Sequence, residues 1–179
     1  MNMILDIPPS IRTPRLYVRP WHERDLPSLH RIMSNQSVHT FTEEEPWTEQ
    51  KARTELDWFQ SNKMGWKWKG GYFNCPLILA DCGTLIGRVG LNPYGDNDSV
   101  AEIEWTISEE HWHQGYATEI GKAILEYGFR DGGFVSIIGF TSIRNMSARQ
   151  VMKKIGMEHI GDREQHHRKL CIFQIERER

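Results

Sequence analysis

The chain switches between two hydrophobic periods, and each switch marks the boundary of an element. Leu16-Tyr17-Val18-Arg19 alternates as a short strand that Pro20 ends. Asp25 and Pro27 then start a helix whose Leu26, Leu29 and Ile32 share one face. Pro46-Trp47-Thr48 leads into a second helix, with Thr48 as N-cap and Ala52, Leu56 and Phe59 at helical spacing. Lys63–Gly71 reads as a loop in which Trp66 and Trp68 interleave with lysines. Beyond it the period becomes two. Tyr72–Ala80 and Thr84–Leu91 form a hairpin around Asp81-Cys82-Gly83. The turn-forming stretch Asn92–Ser99 then leads to a third strand, Val100–Ile107.

The helical period returns from about Gln114 to Arg130. Phe134–Thr141 is apolar on both faces, as a buried parallel strand is. Asn145–Ile155 is a helix with Ala148, Val151, Met152 and Ile155 inward, stopped by Gly156. Two strands close the chain, Met157–Gly161 and Lys169–Glu176. The order β-α-α-β-β-β-α-β-α-β-β places antiparallel strands before a β-α-β unit. It predicts an α/β (α+β) domain on one mixed sheet. Residues 1–179 contain no repeat and no linker long enough to divide them, so one domain is expected. A domain of this length removes roughly 70% of its unfolded surface from water and needs no disulfide or metal staple.

Composition narrows the function classes. Lys+Arg is 22 and Asp+Glu is 24, a net charge of -2, without the basic surplus of a general nucleic-acid binder. Apolar residues at 39% and charged residues at 26% exclude a disordered chain. Cys75, Cys82 and Cys171 are odd in number and imply no disulfide framework. Met1–Ser10 lacks a secretory pattern, and the longest apolar runs are too short to span a bilayer, so a cytoplasmic protein without a membrane partner is expected.

The densest chemical signal lies between Trp105 and Glu119, where a strand ends and a helix opens at Gly115. The first turn of a helix presents free N–H groups and the positive end of its dipole, a ready site for a phosphate or diphosphate. Gly115 lets an anion approach the backbone, Ala117 is small, and Thr118 adds a hydroxyl. An ordinary strand-to-helix turn would use the same residues. A nucleotide-phosphate site is a weaker reading, because neither glycine-rich nucleotide motif occurs here. Asn145-Met146-Ser147 opens the next helix, where Asn145 also serves as a plain N-cap. Lys154-Ile155-Gly156-Met157 closes that helix, as simple termination requires. On Val100–Ile107, Glu102 and Glu104 share one face, while Ile103, Trp105 and Ile107 share the other. Two carboxylates about 7 Å apart can raise one another's pKa. Ion pairs to Arg88 or Lys122 would explain them equally well.

Thr13-Pro14-Arg15-Leu16-Tyr17-Val18-Arg19, Glu102-Ile103-Glu104-Trp105-Thr106-Ile107, Trp112 to Glu119, and Asn145, Ser147, Lys154, Gly156 and Met157 follow in this order along the chain. Their order and spacing resemble the GNAT superfamily of acyl-CoA-dependent N-acetyltransferases, within it the branch of ribosomal-protein-alanine N-terminal acetyltransferases. The likeness runs from about Ile11 to Arg177. Trp112 stands where the superfamily usually has Gln or Arg, and His113 where a second glycine is common.

The resemblance implies acetyl-CoA as cosubstrate, lying in a V-shaped gap between Val100–Ile107 and Phe134–Thr141. Main-chain groups of Trp105, Thr106 and Ile107 would hold the pantetheine arm, and His113, Gln114, Gly115, Tyr116, Ala117 and Thr118 would cradle the diphosphate. Asn145 would bind the pantetheine or thioester region, with Ser147 near the sulfur. A substrate amine would attack the thioester directly. An α-amine has a pKa of about 8 and a lysine amine of about 10.4, so a general base must take a proton. Glu102 is the first choice and Glu104 the second, with Ser147 as general acid, since this last helix lacks the Tyr many members use. The acceptor would be a protein N-terminus or a small molecule, recognised by the first two helices and the last hairpin. A non-catalytic acyl-CoA-binding module is the alternative.

Other residues have plainer readings. His111, His113, His159, His166 and His167 show no i, i+4 pair and no cysteine at zinc-finger spacing, so no metal is expected. The Trp66–Lys69 loop fits an acceptor lip or simple packing better than nucleic-acid stacking. Glu43-Glu44-Glu45 reads as a solvated turn, or as an attractor for a cationic amine. Trp21, Trp47, Trp58 and Phe59 wall the acceptor pocket or fill core, and exposed aromatics permit a homodimer.

Overall fold

A computed structural model describes residues 11–42, 44–61, 73–165 and 167–177. These residues form one mixed sheet of seven strands: β1 (Leu16–Val18), β2 (Phe73–Leu79), β3 (Leu85–Pro93), β4 (Val100–Ile107), β5 (Ser136–Ser142), β6 (Glu158–Gln165) and β7 (Arg168–Glu176). The spatial order is β1-β2-β3-β4-β5-β7-β6. Only the β4–β5 pair is parallel, and α4 (Tyr116–Arg130) makes the crossover between them. The other helices are α1 (Leu26–Met33), α2 (Gln36–His39), α3 (Glu49–Ser61) and α5 (Met146–Lys154). The Lys63–Gly71 loop, Tyr72, Glu43 and His166 lie outside the described residues.

Strand alternation sorts the core into two halves. Leu77, Ile86, Val89, Ile103 and Ile107 meet Ile120, Ile124 and Leu125 of α4 and Met152 of α5. Their strand neighbours Ile78 and Leu85 point the other way, into Leu26, Leu29 and Ile32 of α1 and Ala52, Leu56 and Phe59 of α3. Trp21, Trp47 and Phe59 are buried in this second half, whereas Trp58 is 46% exposed. No helix among the described residues is long and apolar enough to cross a membrane.

The structure corrects the expected element order at one point and several boundaries. The short helix α2 was not expected. It is held by Asn35, whose Oδ1 accepts from the Ser37 amide at 2.9 Å, and four residues are too few to show a hydrophobic period. β6 runs to Gln165 rather than stopping at Gly161. Its sequence is polar because it is the sheet edge, where charged side chains block pairing with other chains. β3 continues through Asn92 to Pro93, pairing with Glu102 and Ala101. Thr48 does cap α3, accepting from the Lys51 amide at 3.1 Å. Asp25 precedes α1, but its carboxylate serves the His22 amide at 2.8 Å and both Nη atoms of Arg19 at 2.6 and 2.7 Å.

Candidate active site

β4 and β5 pair only from Val100–Ser136 to Glu102–Ile138. β4 then continues to Ile107 and β5 to Ser142, so the two strands part beyond Glu102 and open a fork. The crotch is packed by Ile103 and Met152, which lie 3.3 and 3.1 Å from where a Cβ on Gly139 would stand. A side chain there would have to press both neighbours back by a few tenths of an ångström.

The fork leaves main-chain groups of β4 without a strand partner. The Ser108 amide donates to the Ile86 carbonyl at 2.8 Å, which sets the phase of the ladder. Even-numbered residues of β4 therefore turn their N–H and C=O toward β3, and Ile103, Trp105 and Ile107 turn theirs into the fork. This corrects one expectation. Thr106 spends its main-chain groups on β3, and only its side chain is available to the fork. The Ile107 carbonyl already accepts the Trp112 indole N–H at 2.7 Å, an anchor the sequence did not reveal.

From β4 the chain passes through a 3-10 turn, Glu109–His111, and reaches α4 in two left-handed steps, His113 at φ 59° and Gly115 at φ 83°. The second suits glycine. α4 opens at Tyr116 rather than Gln114, and no side chain caps it. Glu119 is the first helical amide to find a helix carbonyl, that of Gly115 at 3.0 Å. The amides of Tyr116, Ala117 and Thr118 precede it in the open first turn, where the dipole is positive.

A cleft of about 700 Å³ joins the fork to this helix end. Its walls include Glu102, Glu104, Trp105, Thr106 and Ile107, then His113, Gly115, Tyr116, Ala117 and Thr118, and finally Asn145 and Ser147 of the α5 start. Gln114 does not line it. Its side chain donates to the Glu110 carbonyl at 3.2 Å, and its own carbonyl accepts from Arg15 at 3.1 Å. Asn145 does cap α5, its Oδ1 accepting from the Ala148 amide at 3.1 Å. Met33, Val38, His39, Phe41, Thr42 and Glu44 also line the cleft, so the unforeseen α2 helps to build its wall.

The two carboxylates differ in their surroundings. Glu104 Oε1 accepts from Asn74 Nδ2 at 2.7 Å and from Arg88 at 3.0 Å, and the Arg88 guanidinium carbon lies 6.0 and 5.9 Å from the centres of the Trp47 and Phe59 rings. Arg88, and not Lys122, is therefore the partner of Glu104. Lys122 is exposed on α4, across the sheet. Glu102 makes no hydrogen bond to a described side chain. Burial, reinforced by the negative charge of Glu104 and partly offset by Arg163, pushes its pKa up to about 7. One carboxylate is held by cation and amide, and the other can take or release a proton near neutrality.

Away from the cleft, His159, Asp162 and Cys171 hold ligand-type atoms within 4.8 Å of one another. His159 and Asp162 are three apart and would face opposite sides of a regular strand. A bulge between His159 and Gly161 turns them to one face, a feature spacing alone does not disclose. Arg149 and Lys153 bring positive charge to the same cluster.

Comparison with known proteins places these features in a family. The profile described as the acetyltransferase (GNAT) domain matches residues 15–158. An uncharacterized N-acetyltransferase of Bacillus subtilis, YnaD, is 32% identical over 151 residues, covering 84% of each chain. The crystal structure of a GNAT-family acetyltransferase from Bacillus anthracis matches with a TM-score of 0.81 and 27% identity, over 93% of this chain and 97% of that one. The spermidine N-acetyltransferase of Vibrio cholerae, solved with CoA and spermine, shares the fold at a TM-score of 0.75 and 18% identity, over 92% of this chain and 96% of its own.

Proposed function

Because this chain belongs to the GNAT acetyltransferases and is an N-acetyltransferase, we propose that it moves the acetyl group of acetyl-CoA to a primary amine by direct attack. The observation that carries the reading is the fork: an open strand edge leads from an uncapped helix start to a carboxylate whose pKa lies near 7. In this reading the diphosphate meets the amides of Tyr116, Ala117 and Thr118, with His113 and Gly115 shaping the turn. The pantetheine arm extends along Trp105 and Ile107 as an added strand, and the Asn145 amide group donates to it. The thioester carbonyl then lies toward the crotch, beside Glu102.

Glu102 takes a proton from the incoming ammonium, directly or through water. The amine nitrogen attacks the carbonyl carbon, and an edge N–H of β4 stabilises the oxyanion. The C–S bond breaks as the amide forms; the Ser147 hydroxyl gives its proton to the departing thiolate and takes up the proton that the attacking nitrogen sheds, so CoA leaves as the thiol and Ser147 is restored. Glu104 orders this wall and adds the charge that helps hold Glu102 near neutrality. The acceptor is a protein N-terminus, as in the ribosomal-protein-alanine branch that the Thr13–Arg19 phrase resembles, or a small amine. A screen of N-terminal peptides, polyamines and aminoglycosides, followed by CoA release, separates these classes. Calorimetry with CoA against ATP and NAD tests the cosubstrate. CoA binding without turnover on any amine would favour the alternative, an acyl-CoA-binding module.

A further inference from the structure

Glu119 poses an electrostatic problem. It stands in the first turn of α4, beside the amides that would receive a diphosphate. A carboxylate there suits the helix dipole but repels a second anion at the same end. The structure meets it with the segment before β1, about a hundred residues away in sequence. Thr13 Oγ1 donates to Glu119 Oε1 at 2.6 Å, the Arg15 amide to the same oxygen at 3.1 Å, and Arg15 Nε to Oε2 at 2.6 Å. Arg15 Nη2 also lies 2.6 Å from Oε2.

Arg15 reaches the turn itself. Its Nη1 donates to the Gln114 carbonyl at 3.1 Å, and its guanidinium carbon lies 4.5 Å from the centre of the Tyr116 ring. Nη2 is 3.5 Å from where a Cβ on Gly115 would stand. One side chain therefore touches Gln114, Tyr116 and Glu119 and passes against Gly115.

We infer that Arg15 is a positioning residue for the cosubstrate's diphosphate: it braces the His113–Tyr116 turn and cancels the charge of Glu119, so that the start of α4 stays receptive to an anion. This rests on the proposed CoA-dependent function. Arg15 is half exposed, so its pair with Glu119 contributes little to global stability. Its effect belongs to binding.

The experiment measures CoA affinity by calorimetry, with steady-state kinetics and melting temperature, for wild type, R15A, R15K, E119Q and R15A/E119Q. R15A is expected to weaken CoA binding and raise KM for acetyl-CoA by about tenfold or more, with kcat at saturation largely kept and little change in melting temperature. R15K restores charge without the three-way bridge and recovers part of the loss. R15A/E119Q binds CoA better than R15A, because the carboxylate charge, which the Thr13 hydroxyl and the residue-15 amide hydrogen-bond but do not cancel, is gone. R15A with wild-type affinity, or a double variant no better than R15A, overturns the inference. Wild type that fails to bind CoA overturns the underlying function instead.

Discussion

Glu102→Gln keeps the shape of the side chain and removes the base. A positioned general base contributes about 100- to 10,000-fold, so kcat/KM should fall by at least about 100-fold while CoA affinity is kept. The pH profile is more specific. With a pKa of about 7, the ionised fraction of Glu102 falls roughly tenfold between pH 8 and pH 6, and wild-type kcat/KM should fall with it. The acceptor amine adds its own ionisation, which Glu102→Gln retains, so the variant keeps one slope and loses the other. Stability should move the opposite way. A carboxyl whose pKa is raised in the folded state holds its proton more tightly there than in the unfolded chain. Stability is therefore lost as pH climbs from about 4.5 to about 7. Allowing for the solvent that still reaches the group, Glu102→Gln should be about 1–2 kcal/mol more stable than wild type at pH 8, with no gain at pH 4. Urea titrations at both pH values measure this. A variant that is less active and more stable has lost chemistry rather than structure. Wild-type kcat/KM in Glu102→Gln, or an unchanged ionisation near pH 7, would refute the assignment.

Glu104→Gln leaves Arg88 half-buried without its counter-ion, so it should cost about 1–3 kcal/mol in thermal denaturation and lower turnover less than Glu102→Gln does. Gly115→Asp places a carboxylate at the helix start and a side chain at φ 83°, and should weaken CoA binding about 100-fold or more by calorimetry; unchanged affinity would contradict the diphosphate site. Asp25→Ala strips the buried partner of Arg19 and should cost about 3 kcal/mol at pH 7. Burial opposes ionisation of Asp25, but the Arg19 and His22 hydrogen bonds outweigh it and lower its pKa. Its stabilisation is thus present above the unfolded pKa and lost as pH falls through the folded one, and denaturant titrations should show the gap to Asp25→Ala closing at acid pH.

Local pattern carried much of this architecture, because the apolar strands of the meander stand out from the polar turns between them and Gly115 marks the start of α4. The shared face of Glu102 and Glu104 follows from period two alone. What the sequence did not disclose arises from contacts between distant segments. Nothing local distinguishes Glu104, held by Asn74 and Arg88, from Glu102, and their different surroundings appear only when three strands are side by side. The direction of Thr106's main chain depends on the phase of the ladder with β3. The Thr13–Arg15 clamp on Glu119 joins segments whose proximity no period encodes. β6 looks shorter in the sequence than it is because an edge strand is polar, and α2, one turn of helix, leaves no periodic trace.

A crystal structure of the protein with CoA bound tests the central claim most directly. The account predicts the diphosphate within hydrogen-bonding distance of the Tyr116–Thr118 amides, the pantetheine paired with Trp105 and Ile107, and the sulfur directed toward Glu102. CoA bound elsewhere while the fork between β4 and β5 stays empty would contradict it.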